Sequence, residues 1–317
     1  MSVDIVGARS SGRVASAVYG RTLSCLLALG LGLAAVADSV QAQSAGPAAG
    51  ANATPEDWRP QRGQSGKDVM WLPTSDELVN ELLATAKVGP EDLVYDLGAG
   101  DGKIAIAAGL RYGARAIGIE YNPRLAEHAQ RNVVRAGVAD RVSIRQGDLF
   151  QTDFSQATVV TLYLLEELNQ QLRPTLLAMR PGTRVVSNSF AMGDWEPDRV
   201  VRAGNQTGYF WIVPAPVAGD WILEGLPGID KPVRLSLIQR YQRLAGTMTL
   251  ADRIQPLLTS TIHGSQLELR FIDALDLMRT IRLEWRGDRL EGEVVPPYGM
   301  VEVFSEPARV RATRAGK

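Results

Sequence analysis

The sequence predicts an α/β domain with a doubly wound parallel sheet, followed by an all-β domain that forms a small barrel or a sandwich. A glycine-rich turn at residues 98–102 lies between an apolar run and the start of a helical pattern. Apolar runs then alternate with helical patterns as far as residue 189, which is typical of parallel strands joined by helices. After Pro216 the helical periodicity disappears and short alternating strands follow. With 317 residues, 45% of them hydrophobic, the chain is long enough for both domains.

The elements of the α/β domain follow in order from residue 74. Residues 74–77, Thr-Ser-Asp-Glu, form a capping-box pattern that opens a helix, and Gly89-Pro90 ends it. The predicted strands cover residues 92–96, 116–120, 141–146, 158–164 and 183–189. The predicted helices cover residues 103–112, 124–136 and 168–179. Two more strands, at 199–202 and 209–213, are predicted to add a hairpin.

The α/β domain is assigned to residues 67–216 and the all-β domain to residues 217–317. Alternating strands of the second domain are predicted at 233–241, 246–250, 266–272, 279–285 and 289–295. The turns between them are polar or contain glycine or proline, as in small barrels and sandwiches. The sequence of this domain shows no cluster of catalytic residue types.

The glycine turn predicts a ligand that approaches the backbone closely. Asp96 ends the preceding strand, and Gly98, Gly100 and Gly102 form the turn without Cβ atoms. The spacing is G-x-G-x-G, whereas dinucleotide sites have G-x-G-x-x-G. Asp96 and Asp101 flank the turn, and two carboxylates repel a pyrophosphate but attract a cation. The turn therefore favours a cationic ligand.

A third acidic residue identifies the rest of this ligand. Glu120 ends the apolar run 116–120, where a carboxylate can accept two hydrogen bonds from a ribose. Together with the turn, it predicts a nucleoside-containing cofactor that carries positive charge. S-adenosylmethionine (SAM) has a sulfonium, an ammonium and a ribose, and matches this description.

The composition excludes several classes of function. The formal net charge is −1, so no broad electrostatic attraction to nucleic acid or to an anionic membrane is expected. The chain has two histidines, His128 and His263, and one cysteine, Cys25. These cannot supply a zinc site or a disulfide framework, so no metal is predicted, and histidine-dependent triad chemistry is not expected.

The N-terminus resembles a secretory signal. Arg9, Arg13 and Arg21 precede the apolar run 23–37, and residues 40–42, Val-Gln-Ala, offer small residues for cleavage after Ala42. This predicts a signal peptide at 1–42, a flexible Ala/Gly/Gln/Pro linker at 43–66, and a periplasmic or secreted mature chain without a membrane span. The alternative is an uncleaved N-terminal membrane anchor.

Residues 67–216 resemble class I SAM-dependent methyltransferases. They look most like the protein-lysine methyltransferase family that includes archaeal broad-specificity enzymes and the mitochondrial enzyme that modifies the ATP synthase c-subunit. The stretches that carry the resemblance are WLPTSDELV (71–79), VYDLGAGDGK (94–103), GIEYNP (118–123), GDLF (147–150), VVTLYLL (159–165) and LRPTLLAMRPGTRVVSNSF (172–190). The resemblance implies a Rossmann-like class I sheet with SAM as cofactor.

The resemblance also implies roles for individual residues. Asp96 and the backbone of residues 98–102 hold the methionine end of SAM, and Glu120 binds both ribose hydroxyls. Asp148 accepts from the adenine amino group, with the Leu149 backbone beside it. The residues implied to lie over the cofactor are Trp71 and Thr74, although Thr74 can also be read as a helix cap.

The implied reaction is in-line transfer of the methyl group to a protein lysine. Tyr163 ends the fourth strand, where class I enzymes place residues that face the substrate, and Asn188 and Ser189 end the fifth. The resemblance thus implies Tyr163 and Asn188 as catalytic residues. The family often has a histidine where Asn188 stands. Tyr163, with Tyr121 and Phe190, is predicted to line a partly aromatic channel that desolvates the lysine amine.

Other functions stay open at this point. An exported protein that keeps the SAM-binding fold without catalysis, and acts through its all-β domain, is one. A methyltransferase that acts on a small molecule is another, and a nicotinamide oxidoreductase is a distant third. Export also conflicts with the cofactor, because SAM is made in the cytosol and is too polar to cross a bilayer unaided.

Overall fold

The structure is a computed structural model that describes residues 58–64, 70–250, 252–273, 276–295 and 308–316. The predicted signal peptide, most of the predicted linker and Cys25 lie outside the described residues. Within the described ranges, no helix is long and apolar enough to span a bilayer.

The first folded part is an α/β layer built on a seven-stranded sheet. Its helices are α1 (Asp76–Thr85), α2 (Lys103–Tyr112), α3 (Pro123–Arg135) and α4 (Glu166–Leu177). Its strands are β1 (Leu93–Leu97), β2 (Arg115–Glu120), β3 (Val142–Gln146), β4 (Val159–Leu162), β5 (Arg184–Asn188), β6 (Arg199–Ala203) and β7 (Gln206–Ile212).

The strand order is β3-β2-β1-β4-β5-β7-β6, and the first five strands run parallel. This confirms the predicted doubly wound sheet, with β6 and β7 added as an antiparallel hairpin. The order reverses between β1 and β4, and such sheets bind ligands at the carboxyl ends of the strands beside that reversal.

Both faces of the sheet are covered by apolar side chains. Leu78, Leu82 and Leu83 of α1 are fully buried because their spacing puts them on one face of the helix. Leu172 and Leu176 of α4 cover the opposite face of the sheet. Close packing on both faces restricts the movement of the strands, so the positions at which the carboxyl-end loops begin are fixed.

The cap of α1 differs from the predicted capping box. Ser75 is the N-cap, and its Oγ accepts a hydrogen bond from the Leu78 amide at 3.2 Å. Thr74 therefore lies one residue before the cap, and its side chain is directed toward Asn188 of β5. The first amides of a helix have no acceptor within the helix, and the Ser75 hydroxyl supplies one. The Thr74 hydroxyl is therefore not needed as the cap.

The second folded part is a closed barrel rather than a sandwich. Its strands are β8 (Gly219–Glu224), β9 (Val233–Arg240), β10 (Arg243–Leu250), β11 (Arg253–Pro256), β12 (Ser260–His263), β13 (Gln266–Ile272), β14 (Met278–Trp285), β15 (Arg289–Val295) and β16 (Arg309–Arg314). Eight of them form an antiparallel ring, which closes where β16 pairs with β8. Among the strands of the described residues, β11 pairs with β10 alone.

Alternate residues of the barrel strands point inward and fill the interior. Leu235, Leu237, Leu269 and Leu283, for example, are at most 4% exposed. Eight strands leave room for a core of side chains, so the barrel is a packed unit.

The two folded parts are joined by a packed connection. Residues 213–215 and Val217 are buried, and the Ala215 amide donates to the Gly264 carbonyl at 2.7 Å. The Gln239 side chain accepts from the Val217 amide at 2.8 Å and donates to the Ala215 carbonyl at 2.9 Å. The connection is thus held by the barrel itself.

Candidate active site

A cavity of about 370 Å³ opens at the carboxyl ends of the parallel strands. Most of the residues predicted from the sequence as site residues line it: Trp71, Thr74, Asp96, Gly98, Gly100, Glu120, Asp148, Leu149 and Tyr163. Two others, Gly102 and Asn188, lie outside this lining. The cavity is where the reversal of strand order places a ligand site.

The glycine turn packs too closely against its neighbours to carry side chains. Gly98, Gly100 and Gly102 have φ values of 82°, 58° and 84°, a region that glycine adopts without strain. A Cβ atom on Gly100 would lie 2.6 Å from Nε1 of Trp71. Trp71 therefore lies against the turn, and its indole forms one wall of the cavity.

Asp96 is a buried carboxylate with one oxygen unused by the protein. Its Oδ1 accepts a hydrogen bond from Thr161 Oγ1 at 2.6 Å. Its Oδ2 is buried and makes no hydrogen bond of standard geometry within the described part of the chain, although the Ala105 amide lies close enough to favour the charged form. Burial, reinforced by repulsion from Asp101 and Glu120, raises the pKa of Asp96 to about 7.

Glu120 ties the end of β2 to the glycine turn. Its Oε2 accepts from the Gly100 amide and its Oε1 from the Asn122 amide, both at 2.9 Å. Burial raises the pKa of this carboxyl, and the amides of Asn122, Gly100 and Tyr121 oppose that effect. The two oxygens of a carboxylate together offer about four acceptor sites, so Glu120 can also accept hydrogen bonds from the cavity.

The loop after β3 forms the next wall. Asp148 Oδ1 accepts from the Phe150 amide at 3.0 Å, and the Asp148 carbonyl accepts from Thr152 Oγ1 at 2.8 Å. These bonds hold the loop so that Asp148, Leu149 and Phe150 all line the cavity.

Asn188 supports the cavity from behind. It is fully buried, and its Nδ2 donates to Thr74 Oγ1 at 3.0 Å while its Oδ1 accepts from Ser189 Oγ at 2.7 Å. The Thr74 hydroxyl is therefore engaged with β5 and not with the helix end. Ser189 lines the cavity with φ 66°, a strained conformation for a residue with a side chain.

The end of the cavity beyond β4 is aromatic. The rings of Tyr163 and Phe190 lie 6.5 Å apart between centroids and are tilted by 31°. Met70, Tyr121 and Leu165 line the same cavity and are exposed. The cavity thus combines buried carboxylates at the glycine turn and the end of β2 with apolar and aromatic side chains elsewhere.

Two supporting residues were not found from the sequence. Lys103 Nζ donates to the Thr74 carbonyl and pairs with Asp76, both at 3.0 Å, so it holds the start of α1 beside the glycine turn. Asn169 Nδ2 donates to the carbonyls of Phe190 and Ala191 at 3.1 Å each. Lys103 directly follows the glycine turn, and this position could have indicated a role near the site. Asn169 lies in a polar stretch of α4, and nothing in the sequence around it indicates such a role.

Comparison with known families and proteins agrees with this geometry. A family model described as the ANTKMT methyltransferase domain matches residues 96–199. The protein-lysine N-methyltransferase of Saccharolobus islandicus is 40% identical over 151 residues, which are 46% of this chain and 94% of that protein. The mouse adenine nucleotide translocase lysine N-methyltransferase is 35% identical over 140 residues, covering 43% of this chain and 59% of that protein. The chain thus matches little more than half the length of the mouse protein.

One solved structure shares a higher identity with this chain. It is an RNA methyltransferase from Salinibacter ruber in complex with S-adenosyl-L-homocysteine, and it is 50% identical. The match covers 46% of this chain and 96% of that one, with a TM-score of 0.45.

We predict that Asp96→Asn stabilises the protein in a pH-dependent way. Well below the ordinary pKa of 3.8, the carboxyl is protonated in both the folded and the unfolded chain, so the variant and the parent should differ least in stability there. As the pH rises to 7, the unfolded carboxyl ionises while the buried one keeps its proton, and the parent loses free energy of unfolding relative to the variant. At about 1.4 kcal/mol per pKa unit, the difference reaches at most about 4 kcal/mol.

Urea unfolding of both proteins at several pH values between about 4 and 8 measures this difference. Asp288→Asn, on an exposed turn of the barrel, is the matched control for the same substitution outside the cavity. A constant difference for Asp96→Asn across the range would contradict the raised pKa.

Proposed function

The chain belongs to the family of SAM-dependent protein-lysine N-methyltransferases, and we propose that it transfers a methyl group from SAM to the side-chain nitrogen of a lysine in a protein. The archaeal lysine methyltransferase matched over 94% of its length supports this acceptor. The observation that carries the proposal is one cavity with buried carboxylates beside a glycine turn and aromatic rings beyond β4.

The residues at the glycine turn fit SAM. The unused oxygen of Asp96 is a buried acceptor that the ammonium of SAM can satisfy, and a cation close to Asp96 lowers the cost of ionising it. The Glu120 carboxylate can also accept hydrogen bonds from the ribose hydroxyls. Asp148 and the Leu149 backbone line the wall assigned to the adenine. When bound, SAM supplies an electrophilic methyl group.

The aromatic end of the cavity suits a lysine side chain. A lysine must lose a proton before it can attack, which costs roughly 4.6 kcal/mol at pH 7 for an unperturbed pKa. Apolar surroundings disfavour the ammonium and so lower its pKa, and the faces of Tyr163 and Phe190 can hold the amine in line. Catalysis then consists mainly of desolvation and alignment.

The role assigned to Glu120 predicts a loss of cofactor affinity in Glu120→Ala. Hydrogen bonds to a charged group contribute about 1.5–3 kcal/mol each, so losing them should weaken SAM binding at least tenfold. Isothermal titration calorimetry with SAM and S-adenosylhomocysteine measures this. Gln146→Ala is the matched control, because Gln146 is the register partner of Glu120 on β3 and is exposed.

Two results would count against these assignments. If the unaltered protein bound neither compound at millimolar concentration, the fit to SAM would fail. If a folded Glu120→Ala variant kept normal affinity, the ribose would have to be held elsewhere.

The proposed acceptor predicts protein-bound methyllysine as the product. Incubation of a cell extract with methyl-tritiated SAM should label material that protease destroys and ribonuclease does not, and acid hydrolysis should release the label as methyllysine. Tyr163→Phe should lower the rate about tenfold at unchanged SAM affinity if its hydroxyl acts only in the transition state. Tyr112→Phe removes a hydroxyl that donates to the Asn80 carbonyl far along α2 and is the control.

Label in RNA or in small molecules alone would overturn the lysine acceptor. Full turnover of Tyr163→Phe with a lowered melting temperature would instead make Tyr163 a packing residue, whose hydroxyl contributes about 1 kcal/mol to stability through a hydrogen bond.

We further propose that the chain is exported, on the strength of the three arginines, the apolar run 23–37 and the Val-Gln-Ala site at 40–42. Fractionation of cells that express the full chain, followed by N-terminal sequencing, should recover a protein that begins at Gln43 outside the cytoplasm. A full-length chain in the membrane fraction would support the anchored alternative, and one in the cytosol would contradict export.

A further inference from the structure

We propose that the β-barrel positions the acceptor wall of the active site through the turn that joins β9 to β10, with Tyr241 as the positioning residue. The wall residue is Phe190, which begins the segment 190–198 between β5 and β6. We call residues 190–198 the β5–β6 segment and residues 240–243 the barrel hairpin. The inference rests on the proposed function, because that function makes Phe190 part of the lysine channel.

The β5–β6 segment is fixed on its inner side by the α/β domain. Asn169 holds the first two carbonyls of the segment, and Arg173 Nη1 donates to the Met192 carbonyl at 2.9 Å. Trp195 is fully buried, and its carbonyl accepts from Trp211 Nε1 at 2.9 Å. These contacts come from α4 and β7 and leave the outer side of the segment to the barrel.

The barrel hairpin holds the outer side of the same segment. Asp194 accepts from the Tyr241 hydroxyl at 3.0 Å and from Arg240 Nη2 at 2.8 Å. The Tyr241 ring stacks on Trp195, with centroids 5.9 Å apart and planes 22° apart. Gln242 Nε2 donates to the Glu196 carbonyl at 2.7 Å. Three consecutive hairpin residues therefore contact residues that follow Phe190 by four to six positions.

One residue of α4 belongs to both sets of contacts. The Arg173 guanidinium pairs with Asp194 and also lies over the Tyr241 ring, 5.6 Å from its centroid. The helix, the β5–β6 segment and the barrel hairpin thus form one connected cluster. Arg173 therefore contacts Tyr241 and also donates to the carbonyl of Met192, which is two positions after Phe190. A substitution at Tyr241 removes a contact of this arginine.

The backbone of the hairpin is strained where it makes these contacts. Tyr241 has φ 54°, a left-handed conformation that two-residue hairpin turns usually assign to glycine or asparagine. Such strain persists where surrounding contacts over-determine it and is concentrated at functional positions. The packed connection at 213–217 already fastens the barrel, so attachment alone does not account for a strained tyrosine at this turn.

A fluorine probe at position 190 tests the coupling without an acceptor. Cys25 is the only cysteine of the chain, so Cys25→Ser with Phe190→Cys allows one trifluoromethyl thiol label there. In Tyr241→Ala the ¹⁹F resonance at position 190 should shift or broaden, with a smaller change in Tyr241→Phe, which keeps the ring. A label at Leu110→Cys, exposed on α2, should not change. An unchanged resonance at position 190 in folded Tyr241→Ala would overturn the proposal.

Methyl transfer from tritiated SAM to extract protein gives the second readout. Tyr241→Ala should lower the rate about tenfold, because small misplacements of positioning groups are costly, while SAM affinity stays normal. Tyr241→Phe should fall between this variant and the parent, and Tyr112→Phe should match the parent. In a Phe190→Ala background, Tyr241→Ala should lower the rate of methyl transfer little further, because both substitutions act on the acceptor wall of the cavity.

Fully additive losses, or a parental rate in folded Tyr241→Ala, would overturn the positioning role. Absence of transfer by the parent would instead count against the proposed function, and the fluorine signal would still decide whether the barrel sets position 190. Circular dichroism and the melting temperature of each variant establish that it is folded.

Discussion

The hydrogen bond from the Gly100 amide to Glu120 Oε2 is the contact on which the site is built. It joins the turn after β1 to the end of β2. A Cβ atom on Gly100 would lie 2.6 Å from Nε1 of Trp71, so the indole can pack against the turn because this residue is glycine. Gly100 thus connects Glu120 to the indole wall of the cavity, and Glu120 and Asp96 are the buried carboxylates of the site.

The burial of those carboxylates has an energetic cost that the fold alone does not recover. Burial raises the pKa of Asp96 to about 7, although the Thr161 hydroxyl donates to one of its oxygens and so favours the charged form. Native proteins keep such groups mainly at functional sites, where a ligand completes the missing interaction. The proposed function assigns the buried acceptor to the cationic cofactor and the aromatic end of the cavity to the amine that receives the methyl group.

The loops that complete the cavity depend on more distant parts of the chain. Asn188 reaches back to Thr74, Lys103 holds the start of α1, and Asn169 holds Phe190. The barrel then supports the segment that Phe190 begins, through Tyr241 and its neighbours. The barrel has no cluster of catalytic residue types in its sequence. It can still affect the active site, because its contacts with the β5–β6 segment help to position Phe190 in the cavity wall.

The sequence by itself determined the α/β order, the glycine turn and nine of the residues that line the cavity, because these depend on local periodicity, on residues that end strands and on motifs. Only the tertiary structure decided that the barrel closes, since the pairing of β16 with β8 joins strands about ninety residues apart and leaves no local pattern. It also decided that Ser75 caps α1 while Thr74 turns to Asn188. Ser75 and Thr74 are adjacent and both carry a hydroxyl. Which of them caps α1 and which accepts a hydrogen bond from Asn188 depends on the residues that the tertiary fold brings beside each one.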